Sequence, residues 1–124
     1  MAVMNSRDTR TVPAGEDLST KQFYFVTLES DGKVDLADSA GEQCFGVLLN
    51  KPSAVDRPAT VVVSGQVTVV SGGTIAAGAA VQTDASGKAL TAASGDVVMG
   101  YAMESAVADD IFRIELIQGG NVVA

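Results

Sequence analysis

The sequence predicts an all-β fold: a small β-barrel or sandwich-like domain built from a pseudo-duplicated β unit, with an extended N-terminal arm. Three observations carry this. Apolar and polar residues alternate with a period of two in several short runs, clusters of Gly with Ser or Asp separate those runs, and the chain repeats itself at an offset of about 55 residues.

The alternation is plainest between Thr60 and Val70, where the odd positions 61 to 69 read Val, Val, Gly, Val, Val and the even positions 60 to 68 read Thr, Val, Ser, Gln, Thr. That is the period of a strand with one buried face. It returns in "IFRIELI", with Phe112, Ile114 and Leu116 on one face and Arg113 and Glu115 on the other. "QFYFVTLE", Gln22 to Glu29, predicts a third strand, in which Phe23, Tyr24 and Phe25 serve as core or as contacts between copies. The clusters "SDGK", "SGG", "ASGK" and "ASGD" supply the positive φ angles of tight turns. "TIAAGAAV" is Ala-rich, but Gly72, Gly73 and Gly78 interrupt it and it lacks a helix cap, so it reads as loop and short strand. Gly46 and Gly100, each ahead of a strand-like run, read as structural bends.

The repeat sets Val26, Gly32, Lys33, Ala37 and Ser39 on Val81, Gly87, Lys88, Ala92 and Ser94; after one deleted residue, Gly41, Glu42 and Gly46 face Gly95, Asp96 and Gly100. Two similar halves, roughly 26–70 and 81–120, are expected to pack around one core within a single β domain of residues 15–124. With 18 Ala and 18 Val but only 7 Leu, 4 Ile and 4 Phe among 124 residues, that core is thin, and self-association is expected to help stabilise it. Residues 1–14 carry no period; they hold Arg7 and Arg10 against one Asp8, a formal +1 where the rest of the chain carries −8. They read either as a frayed terminus or as an arm that orders on a partner.

The chain has no histidine, which excludes Ser-His-Asp and Cys-His catalysis. Asp109 and Asp110 are neighbours that a strand would point to opposite faces, so they read as turn residues and not as an acid/base pair. "DLADSAGE", Asp35 to Glu42, lacks the ligand spacing of a calcium loop, and the two "GK" dipeptides lack the rest of a phosphate-binding loop. The lone Cys44, among apolar neighbours, reads as a small buried hydrophobe. No enzyme activity, catalytic residue, cofactor or metal is expected. The net charge of −7 argues against nucleic acid and anionic membranes as partners, and no apolar run approaches a signal peptide or the ~20 residues of a membrane helix, so synthesis in a cytoplasm is expected. Lys33 and Lys88, each on a hairpin turn, leave open a carrier module of the lipoyl or biotinyl kind. A glycan-binding module is a further alternative, although few aromatic rings are present to stack on sugars.

The pieces Gly15 to Val26, Gly46 to Pro52, Thr60 to Val70, Ala77 to Ala89 and Gly100 to Ser105 share an order and spacing that resembles the capsid cement, or head decoration, proteins of tailed bacteriophages. The likeness covers nearly everything after residue 13. The resemblance implies a structural virion protein on the exterior of the capsid that stabilises the shell, bound to the major capsid protein. It also implies homotrimers at local threefold axes and an N-terminal arm that reaches across capsid subunits. On that reading Arg7 and Arg10 pair with capsid carboxylates while Val12 and Pro13 dock in a shallow groove.

Overall fold

The computed structural model describes residues 7–118 and Val122. Residues 1–6 of the expected arm and residues 119–121, 123 and 124 of the expected β domain lie outside the described residues.

Among the described residues, nine strands form one antiparallel, strongly curled sheet: β1 (Arg7–Pro13), β2 (Phe25–Leu28), β3 (Val34–Leu36), β4 (Gly46–Leu48), β5 (Pro58–Val70), β6 (Ala80–Thr83), β7 (Ala89–Thr91), β8 (Gly100–Ala102) and β9 (Ile111–Leu116). There is no helix among these residues, and the Ala-rich stretch is loop leading into β6. The order β3-β2-β4-β5-β9-β8-β6-β7 reads as one motif written twice, with the two last strands β5 and β9 paired at the centre. The duplication expected from sequence is therefore built into the sheet. β2 and β6, like β3 and β7, are 55 residues apart, while β4 and β8 are 54 apart.

Each repeat rolls up on itself. In the first, β1 runs along the first half of β5, and the chain leaving β1 returns to the edge strand β3: the Gly15 amide donates to the Val34 carbonyl at 2.8 Å. In the second, the latter half of β5 runs along β9, and the Gly72 amide donates to the Ala89 carbonyl at 2.7 Å. β1 thus has the place in roll one that Gly65 to Val70 has in roll two, and both short edge strands are covered, which blocks edge-to-edge pairing. The segment read as an arm is extended from Arg7 to Pro13, and it lies on β5 of its own chain.

The single inward face expected for Thr60–Val70 is corrected. Val61 and Val62 are both fully buried, then Val67 and Val69. The register with β1 shifts between Asp8 and Thr9, leaving Val63 as an extra residue on β5, and Gly65 follows with φ of 102°. A bulge of this kind flips the pleat, so odd residues face one side before it and the other side after it. In consequence the described residues form two apolar clusters where one core was expected. The smaller holds Leu18, Val26, Val34, Leu48 and Val61; the larger holds Phe25, Val47, Val62 and nearly all of roll two, including Val81, Met99, Phe112 and Ile114. Sequence neighbours in roll one (Phe25 and Val26, Val47 and Leu48, Val61 and Val62) go to opposite clusters, so its sheet is covered on both faces.

The strand expected from Gln22 is shorter, Phe25–Leu28, because Phe23 adopts φ of 71° and breaks the extended run. Gly46 and Gly100 are the first residues of β4 and β8, not bends. The β5 carbonyl of Val62 and the β9 carbonyl of Glu115 pass where their Cβ atoms would be.

Candidate functional site

The hairpins after β2 and β6 are near copies. In each, a glycine at φ of 81° (Gly32, Gly87) makes the turn, and the following lysine amide donates to an aspartate side chain, Asp31 or Asp84. The two lysines then reach across their own rolls: Lys33 Nζ lies 2.7 Å from Asp56 and Lys88 Nζ lies 2.8 Å from Asp109. Asp56 and Asp109 sit in left-handed turns, at φ of 70° and 68°, a conformation that a short polar side chain tolerates. Asp109 and Asp110 are thus turn residues before β9, as the sequence predicts. The hydrogen bond to its aspartate, with the attraction of that charge, holds each lysine above the usual range for an amine. Both lysines have a repeated structural role. The carrier reading predicts a lipoyl or biotinyl adduct on one of them; the expected intact mass is that of the bare sequence, and any such added mass would revive it.

Two titratable groups are placed unusually. Burial pushes the Cys44 thiol up to about 12, with Glu42 adding to it. Its amide donates to the Met99 sulfur at 3.4 Å, at the junction of the rolls. At pH 8 the thiolate fraction of such a group is on the order of one part in ten thousand, so the native protein is expected to resist alkylation until unfolded. Stoichiometric labelling within minutes without denaturant would contradict this placement.

Asp35, on β3, has one carboxylate oxygen buried beside Gly15 without a hydrogen bond from the described residues. Burial, then the charges of Glu16, Glu29, Asp31 and Asp38, hold this carboxyl above its ordinary value of 3.8. The folded state therefore binds this proton more tightly than the unfolded chain does. The ionised form costs stability at neutral pH, and acidification through the raised value relieves that cost. Asp35→Asn is expected to stabilise by about 1 kcal/mol at pH 7 and by nothing at pH ~3, read from urea midpoints. An equal gap at both pH values would refute this account.

The four arm residues singled out from sequence do not form one patch. Pairing sets Arg10 opposite Val61 and Val12 opposite Ala59, so both lie on the inner face of roll one. Val12 is half-buried against the smaller cluster, whereas Arg10 is exposed. Pro13 is exposed opposite Pro58, and Arg7 pairs with Gly65. Of the aromatic trio, Phe25 is fully buried, while Phe23 and Tyr24 are half-buried and Lys21 lies 5.1 Å above the Tyr24 ring. Sequence reading missed the large apolar side chains left outside, among them Leu28, Tyr101, Met103 and Ile111. Their signal was available in the repeat: Tyr101 stands where roll one has Val47. Among the described residues, no three His, Cys, Asp or Glu side chains gather as a metal site.

What the arrangement offers is surface held by one continuous sheet. A solved structure of similar shape is the N base of head fiber gp8.5 of bacteriophage phi29. It has a TM-score of 0.73 at 16% identity, covering 94% of this chain and 98% of that one, a likeness of fold. No curated protein sequence matches the chain. The profile described as phage cement protein matches residues 4–116, nearly the whole chain, and the chain therefore belongs to the phage cement protein family.

Proposed function

We propose that this protein binds the outer surface of a tailed-phage capsid and stabilises the shell, as homotrimers placed at local threefold axes. A structural role associated with the phage capsid follows from the family. The finer reading is supported by the apolar side chains that the body offers on its exterior. The family match over residues 4–116 is the observation that carries it. Synthesis in the host cytoplasm goes with this reading.

A cement protein acts by cohesion across subunit boundaries, which needs several modest contacts released slowly together; symmetry supplies the multiplicity. The major capsid protein is the partner. The segment before β1 makes the capsid contact together with Arg7 and Pro13, the first and last residues of β1, while Val12 packs half-buried against the first roll's own cluster.

Co-sedimentation with expanded capsids stripped of decoration tests the reading. Deleting residues 1–14 would remove β1 and open roll one, so the shortened chain lacks residues 1–6 alone. The full chain is expected to pellet saturably at a fixed ratio to capsid subunits, and the shortened chain more weakly. Failure of the full chain to pellet with capsids of its own phage would overturn the proposal.

A further inference from the structure

The duplication allows each surface of one roll to be compared with its counterpart in the other. Phe25, Val47 and Val62 form the back of roll one, and roll two covers them completely: they lie in one cluster with Val67, Met99 and Leu116. Backbone bonds tie the same contact, from the Phe25 amide to the Gly87 carbonyl at 2.8 Å and from the Gly41 amide to the Thr83 carbonyl at 3.0 Å.

The pairings that define the back of roll one recur in roll two with Ala80 opposite Tyr101 and Tyr101 opposite Glu115, and this back stays open among the described residues. Tyr101 is 43% exposed, as is Met103, which stands where roll one has the half-buried Leu49. The converse comparison identifies the mouth of roll one. Where roll two uses Val67, Met99 and Leu116 to receive its neighbour, roll one has Arg10, Phe45 and Val63, all at least partly open. Thr83 has its counterpart in Leu28, which is 47% exposed beside Phe45.

One surface therefore lacks a mouth to cover it, and one mouth lacks a back to receive. They carry opposite charges at positions whose counterparts share one cluster, because Glu115 replaces Val62 and Arg10 replaces Val67. We propose that copies of this chain associate by repeating the internal contact head to tail. Tyr101 and Met103 of one copy seat on Leu28, Phe45 and Val63 of the next, and Glu115 pairs with Arg10 across the joint. This names the joint within the self-associating reading above and rests on that reading. A contact of this heterologous kind either closes as a ring or runs on as a filament. The charge pair also offsets locally the repulsion between chains that each carry −7.

Sedimentation velocity of the full chain across concentrations tests the proposal, with R10E, E115R and the double variant R10E/E115R. Both residues are exposed, and circular dichroism checks that the fold is kept. Wild type is expected to assemble below about 100 µM, each single reversal to weaken assembly at least about tenfold, and the double variant to recover most of the loss. Wild type that stays monomeric, single reversals without effect, or a double variant no better than the singles would each overturn it. Capsid pelleting of the same wild-type protein separates the two proposals: a monomer that still pellets leaves the cement reading standing, and an assembled protein that does not pellet leaves the joint standing.

Discussion

Gly46→Ala is expected to destabilise the domain by about 3 kcal/mol, at the upper end of what overpacking costs. The new methyl carbon would overlap the Val62 carbonyl oxygen and sit 2.7 Å from a Val61 methyl, and the first of these is backbone held in the central strand. Either β4 moves off β5, losing the pairs Val47–Val62 and Leu48–Val61, or the strand deforms. Gly32→Ala is the matched control. Gly32 has φ of 81° with nothing within 4 Å of an added Cβ, so its cost is the left-handed backbone alone, about 1 kcal/mol. Urea unfolding of the two variants should rank them in that order. Equal midpoints would mean that close approach of β4 to β5 is not what the glycine is for.

Phe25→Ala is expected to cost about 3–5 kcal/mol, the range for removing a fully buried aromatic ring. Phe25 belongs to roll one by chain and to the larger cluster by packing, so its loss leaves a cavity where the two rolls meet. The substitution should lower the unfolding midpoint strongly. Tyr101→Ala, at a half-exposed position on the back of roll two, should change the stability of the isolated chain by less than about 1 kcal/mol. A Phe25→Ala chain as stable as wild type would show that the junction between rolls contributes little.

Much of this architecture was legible because two kinds of signal agreed. The hairpins "SDGK" and "ASGK" fix local conformation through glycine and aspartate, and their spacing survived the duplication, so the pairs β2–β3 and β6–β7 align at a constant offset. Phe112, Ile114 and Leu116 are buried as their alternation requires, since β9 has one wet face. β5 was harder. Its valines on both sides of the bulge look like one continuous face, and only the pairing with β1 reveals that Val63 is extra. The equivalence of β1 with the second half of β5 was hard to see, because "RDTRTVP" and "SGQVTVV" share only Thr11–Val12 with Thr68–Val69, and where roll two has the buried Val67 roll one has the exposed Arg10: one lines an open mouth and the other a covered one. Interaction surfaces lie beyond composition for the same reason. Tyr101 and Glu115 become informative only when set on Val47 and Val62, which are buried by a contact that the fold alone discloses.

β5 belongs to both rolls, with its first half paired to β1 and β4 and its second half to β9. Two domains joined by a linker can melt one at a time, but rolls that share a continuous strand cannot, since fraying either one strips partners from the strand that the other needs. The duplicated halves should therefore melt in a single cooperative transition despite their separate clusters. On the cement reading, a local tug from a stressed shell is then resisted by the stability of the whole chain.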